Sequence, residues 1–409
     1  MTSIQDKPVD LMDPLERSVH FNAHRYETPG HEGWERVATP GAPNKYLMIS
    51  ADCHVNEPPN LWVERIEEKY RARLPRIEVD ADGVKWSVVE GYGPVKLRDL
   101  KMEGEDQERA KVGKGDPEER LRDHARDGID AEVIFPNRGL QMWATTDPLF
   151  AQAMCRVYNT WAWEVFGPYY DRLSPLACVA TGDIDSAIEE IERCAKLGFR
   201  GLSLPCKPAW GPGRPEDPNY NTPEFDRLWA CIQDVDLPMT FHVSTGKDPR
   251  GAKGNGGAVI NYVIHSLAPT AEPLVHLCSS GVLDRFPGLR FASIEAGIGW
   301  VPWMLRAMDE AYEHHHFWAF PKLKMMPSEY FRQHGAASFQ EDPPGVDLMR
   351  DYGLTNNFMW ANDYPHHEGS WPHSAASIER TMGRLTDSER ARVLGLNAAQ
   401  FFRFETPGS

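Results

Sequence analysis

The sequence predicts an α/β protein, a (β/α)8 TIM barrel that carries an N-terminal arm and a top-face insertion after its first strand. Apolar runs of strand length alternate with amphipathic helical stretches about eight times between Tyr46 and Phe404, the order of a parallel barrel. The length of 409 residues suits one barrel with additions. A doubly wound sheet is the competing architecture, but no GxGxxG follows the first strand.

The elements follow in order. Residues 1–45 are polar and proline-rich, and we read them as an arm whose aromatics, Phe21, Tyr26 and Trp34, are buried by wrapping a neighbouring subunit. The barrel occupies 46–405. Tyr46–Ile49 is the first strand, running into Asp52 and His54, and Asn60–Tyr70 is helical. Ile77–Val89 is a hairpin turned at Asp82-Gly83, inside an insertion over about 71–115. Asp116-Pro117 caps a helix that ends near Gly128, and Ala131–Pro136 is the second strand. A helix starts at Asp147-Pro148, Leu176–Ala180 is the third strand, and Asp185 caps a helix closed by Gly198. Phe199–Leu204 and Leu237–His242 are strands four and five, separated by a helix opened at Thr222-Pro223. A Gly-rich loop over 244–257 reads as a lid; its Lys247, Arg250 and Lys253 read first as solvated charges and second as groups that meet an anionic substrate. Pro273–Leu283 is helical, Leu289–Ile294 is strand six, and Pro302–Tyr312 is helical. Ala336–Phe339 and Phe358–Ala361 are the last strands, and Thr386-Asp387-Ser388-Glu389 is a capping box opening the final helix.

Composition narrows the function classes. A net charge of -16 argues against a nucleic-acid or anionic-membrane surface, which needs clustered Lys and Arg. No apolar run approaches the ~20 residues of a membrane span, and a cytoplasmic location is expected. Seven cysteines without a CxxC pair make neither a disulfide framework nor a zinc ribbon. Cys53 reads as a packing residue, since on a strand it faces away from Asp52 and His54.

In a parallel barrel, chemistry gathers at the C-terminal ends of strands. Those ends carry Asp52, His54 and Glu57 after the first strand, Arg138 after the second and His242 after the fifth. Glu295 follows the sixth, and Asp363 and His366 follow the eighth. Histidine and carboxylate without thiolate suit Zn, Fe or Mn. Arg138 reads equally as a clamp for a substrate carboxylate and as an Arg that ties down a loop. Trp143, Trp210, Trp300 and Tyr364 form an apolar wall or top-face core, His276 packs locally, and His314-His315-His316 reads as a surface run.

These motifs carry a resemblance. Asp52-Cys53-His54-Val55-Asn56-Glu57-Pro58, Gly128-Ile129-Asp130-Ala131, Phe135-Pro136, Phe241-His242, Phe286-Pro287, Trp360-Ala361-Asn362-Asp363-Tyr364-Pro365-His366 and Leu396-Asn397-Ala398 resemble the amidohydrolase-related family, in the branch that includes aminocarboxymuconate semialdehyde decarboxylase. The resemblance implies a divalent metal held by Asp52, His54, His242 and Asp363, with Asp363 also moving a proton. It implies hydrolysis or decarboxylation of a small organic molecule bearing a carboxylate or carbonyl. Two positions depart from the family pattern: Asp52 stands where the first His of His-x-His is usual, and Glu295 where a strand-six His is usual.

Glu295, Glu57 and His366 are therefore additional ligand candidates. Carboxylates in those places could bridge two ions, as in the dinuclear iron or manganese-iron oxygenases on this fold, so oxygenation is a second reading. Glu295 as a partner orienting His54 or His242 is equally open. A third reading is a non-catalytic, metal-bound barrel subunit of a hetero-oligomer. The partners expected are a small-molecule substrate and a second copy of the chain, or a related chain.

Overall fold

The computed structural model describes residues 46–97, 104–208, 218–245, 252, 254–315 and 317–406. The expected arm, Trp210, His316, and Lys247, Arg250 and Lys253 of the expected lid lie outside the described residues. Eight parallel strand positions form the barrel: β1 (Ile49–Val55), β2 (Ala131–Pro136), β3 (Leu173–Pro175 and Ala177–Cys178), β4 (Leu202–Leu204), β5 (Met239–His242), β6 (Phe291–Ile294), β7 (Gly335–Phe339) and β8 (Phe358–Trp360).

Pairing runs in sequence around the ring. β3 is split, because its first part pairs with β2 while Ala177–Cys178 pair with β4. The ring closes where the chain leaving β8 meets β1: the Asp363 N–H donates to the Asp52 carbonyl at 3.1 Å, and the His54 N–H to the Tyr364 carbonyl at 2.7 Å. This junction sets two prospective ligand positions against each other. Behind it, Ser50 donates to Asn362 Oδ1 at 2.9 Å, and Asn362 Nδ2 to Asp127 Oδ2 at 3.1 Å, so Asn362 ties β8 to β1 and to helix Pro117–Asp127.

Every residue of β1 is buried, as suits a strand covered inside and out. The largest core cluster joins Met48, Leu202, Met239, Phe241, Phe291 and Trp360 to the helices outside them. A second packs helix Pro148–Phe166 against Leu61, Tyr70 and Leu74 and fixes the root of the insertion.

Local signals place most boundaries. Asp116 accepts from the Glu119 N–H and Gly128 ends that helix at φ 74. Both halves of the Thr386–Glu389 capping box are made. The insertion holds the expected hairpin, Arg76–Val79 with Lys85–Val88, plus a third strand, Val95–Lys96.

Several expectations shift. Strand one begins at Ile49 and includes Asp52 and His54 rather than ending before them. The helix expected over 60–70 is two pieces, Leu61–Arg65 and Glu68–Arg73, because Glu67 between them is extended at ψ 140. Asp183, not Asp185, caps the helix Ile184–Leu197, its carboxylate accepting from the Ser186 N–H. The helical stretch expected over 273–283 breaks at Gly281, which takes φ 74. Helices at Gly257–Tyr262, Pro327–His334 and Ser374–Met382 were not foreseen.

Candidate metal centre

Asp52 and His54, two apart on β1, point the same way into the barrel mouth. His242 ends β5, Glu295 follows β6, and Asp363 and His366 follow β8. Their donor atoms fall into two groups, Asp52–His54–His242–Glu295 and His54–Glu295–Asp363–His366; within each, all donors lie inside 4.8 Å of one another. His54 and Glu295 belong to both.

The imidazoles and carboxylates of the cluster lie close together. His242 Nε2 is 3.3 Å from Asp52 Oδ1 and 3.3 Å from Glu295 Oε2. His54 Nε2 is 3.6 Å from Asp52 Oδ1, 3.8 Å from Glu295 Oε2 and 3.5 Å from Asp363 Oδ1. His366 Nδ1 is 3.2 Å from Asp363 Oδ1, and its ring stacks on that of His54 with centroids 3.9 Å apart.

Backbone carbonyls fix the tautomers. His54 Nδ1 is 2.9 Å from the Pro136 carbonyl and His242 Nδ1 is 2.8 Å from that of Val243. A carbonyl only accepts, so each Nδ1 carries the proton and each Nε2 presents a lone pair to the cluster. Burial, then His366 and His242, holds His54 well below the ordinary histidine range, and burial likewise lowers His366. Burial opposes charge on His242 too, but Asp52 and Glu295 outweigh it and raise its pKa.

Three carboxylates converge where there is little water. Burial, then the neighbouring Asp363, raises Glu295 well above the carboxylate range; burial, then Asp52, does the same for Asp363. Only a proton or a cation resolves such crowding. Asp52 Oδ2, His54 Nε2 and His366 Nδ1 are buried without a hydrogen-bond partner among the described residues. Unpaired buried lone pairs on imidazole and carboxylate are the donor set of a divalent ion such as zinc, manganese or iron, so these residues fit one.

The backbone is strained at this centre. Glu295 and Asp363 adopt φ 64 and 51, the left-handed region that side chains rarely occupy. Both carboxylates lie within the donor groups at the strand ends.

The remaining predicted residues fall elsewhere. Glu57 is outside both groups: its carboxylate accepts from the N–H groups of Asn137, Arg138 and Gly139 at 3.0, 3.0 and 2.9 Å. It anchors the turn after β2 instead of joining the ligands. The Arg138 side chain is exposed and lines a cavity beneath the insertion. Trp143 donates to the Val179 carbonyl and Trp300 to that of Ala296. Tyr364 is fully buried and donates to Asp123, so both Trp143 and Tyr364 are core. His276 is half-buried and lowered by burial, and His314 is exposed beside Glu310. Cys53 is buried on the opposite side of β1, near Arg120, Glu132 and His124. Cys53, His124 and Glu132 also lie within reach of one ion, but Arg120 clamps Glu132 bidentately at 2.7 Å, and that buried guanidinium opposes a cation there.

One contact was missed in the sequence. Asn137 Oδ1 lies 3.4 Å from His366 Nε2 and orients that ring. It follows Pro136 directly, and the strand-end criterion that selected Arg138 would have found it.

A family profile described as amidohydrolase matches residues 51–404, most of the chain and every residue of the cluster. The chain belongs to the amidohydrolase family. It is 27% identical over 258 residues to a gamma-resorcylate decarboxylase of Rhodococcus jostii, covering 58% of this chain and 72% of that one. An amidohydrolase of Mycobacterium avium subsp. paratuberculosis shares the fold with a TM-score of 0.70 at 18% identity, covering 87% of this chain and 98% of that one. So does a 5-carboxyvanillate decarboxylase of Novosphingobium aromaticivorans complexed with manganese and 4-hydroxy-3-methoxy-5-nitrobenzoic acid, with a TM-score of 0.63 at 16% identity, covering 88% and 96%. Among the described residues no helix is long and apolar enough to cross a membrane.

Proposed function

We propose that this amidohydrolase is a metal-dependent decarboxylase of a small carboxylated phenol. The observation that carries the reading is the pair of overlapping donor groups on the strand ends, each with its donor atoms within reach of one ion. The decarboxylase relatives among its homologues support the choice of reaction.

Asp52, His54, His242 and Glu295 would hold the ion, which supplies a positive charge to bind and polarise an oxygen-bearing substrate. Asp363, at the end of β8 within the second donor group, would carry the proton. His366 lies 3.2 Å from it, with Asn137 behind. In the reaction the proton moves from Asp363 to the ring carbon that bears the carboxylate, forming a C–H bond. The C–C bond to the carboxylate then breaks, its electron pair restores the aromatic ring, and carbon dioxide leaves. A later proton from solvent through His366 resets Asp363. The dry pocket favours the neutral acid before reaction and disfavours the carboxylate on the substrate.

A second reading is dinuclear oxygenation, favoured by the sharing of His54 and Glu295 between two four-residue groups. Metal content per chain after anaerobic preparation separates the two. One zinc or manganese supports decarboxylation; two irons, or an iron-manganese pair, overturn it. We also propose a homo-oligomer, supported by Trp303, Phe317, Trp318 and Phe320, each at least 67% exposed. Light scattering at the mass of one chain would contradict that.

A further inference from the structure

The insertion roofs a cavity of ≈ 390 Å³ whose lining includes none of the six cluster residues. Trp62, Leu74, Met142 and Met154 form its floor and walls, and Ile77 and Ser87, cross-strand partners on one face of the hairpin, form its roof. The Trp62 ring is pinned by its N–H to the Met154 carbonyl at 3.1 Å, so this wall is fixed.

Two features equip the cavity to take a ligand. Val63, Ile77 and Leu97, all lining the cavity, are 53%, 64% and 37% exposed. Arg138 projects into the same cavity, and among the described residues its guanidinium has no carboxylate or hydrogen-bond partner. Arg76, the other cation there, is already paired with Glu78 at 2.6 Å. Arg138 is also well positioned, because Glu57 holds its N–H and those of both neighbours.

We propose that this cavity is a second binding site, distinct from the metal centre, for an aromatic or similarly apolar carboxylate. The acid would pair bidentately with Arg138, with Gln141 beside it, while its ring covers Trp62, Ile77, Met142 and Met154. The volume suits a one- or two-ring acid. This inference does not depend on the reaction assigned to the metal centre.

The test uses full-length, zinc-loaded protein labelled at the methionine methyls, titrated with 1-naphthoate and followed by NMR. Signals of Met142 and Met154 are assigned with M142L and M154L. Both should shift saturably through the ring current of the bound acid. Arg138→Gln should weaken binding at least about tenfold, leave the weaker binding of neutral 1-naphthylmethanol unchanged, and Ser87→Phe should abolish both. Naphthoate shifts that are unaffected by Arg138→Gln would overturn the proposal, as would still signals from Met142 and Met154 at the solubility limit. Binding confined to the metal centre would leave those two signals in place, overturning this inference without touching the reading of the centre.

Discussion

The Pro136 carbonyl lies 2.9 Å from Nδ1 of His54, so the end of β2 decides which nitrogen of a β1 histidine faces the cluster. Neighbouring strands thus set the donor chemistry of the site.

His242→Ala removes a donor 3.3 Å from both Asp52 and Glu295. Bound metal per chain should fall sharply, while circular dichroism stays that of the folded barrel. Full retention of the ion would remove His242 from the ligand set.

Asp363→Asn should separate binding from proton movement. It lowers kcat by roughly 10²–10⁴, the usual worth of a general acid, with metal content maintained. Loss of metal in proportion to activity would make Asp363 a ligand rather than the proton carrier.

Behind β1, Arg120 and Glu132 are fully buried and paired at 2.7 Å. Burial alone would raise Glu132, but Arg120 and His124 outweigh it and hold its carboxyl far below the ordinary range. A carboxylate with a depressed folded pKa adds stability that is fully present above its unfolded value of about 4.5 and is lost as pH falls below it. Glu132→Gln leaves Arg120 charged and buried, and should destabilise the fold by on the order of 3–5 kcal/mol. Denaturant titration from pH 7 to pH 3 checks both points: the variant should lose less stability over that acid range than the wild type.

Gly395 packs directly on the entry to β1. A Cβ there would meet the Leu47 carbonyl oxygen at 2.0 Å and its carbon at 2.8 Å, both backbone atoms that yield only if β1 moves. Gly395→Ala should cost about 1–3 kcal/mol, read as a lower melting temperature. An unchanged melting temperature would show that β1 can shift freely.

Barrel order was legible because the strands are buried apolar runs and most helices carry their own caps, as at Asp116 and Thr386. That Asp52, His54, His242, Glu295, Asp363 and His366 come together was legible because strand ends converge in this fold. Glu57 misled because nearness in sequence says nothing of direction once the chain leaves β1; three backbone N–H groups of the β2 turn claim its carboxylate. The left-handed conformations of Glu295 and Asp363 carry no sequence signal, since glycine is the residue that normally marks them. The helix Gly257–Tyr262 escaped notice because Val259 and Ile260 are exposed, which breaks the amphipathic pattern.

The most direct test is carbon dioxide release from 2,6-dihydroxybenzoate and 5-carboxyvanillate by the metal-loaded protein, with dioxygen followed in the same vessel. Release is expected from at least one acid, lost on chelation, restored by manganese or zinc, and independent of dioxygen. Dioxygen uptake with no carbon dioxide released would contradict it.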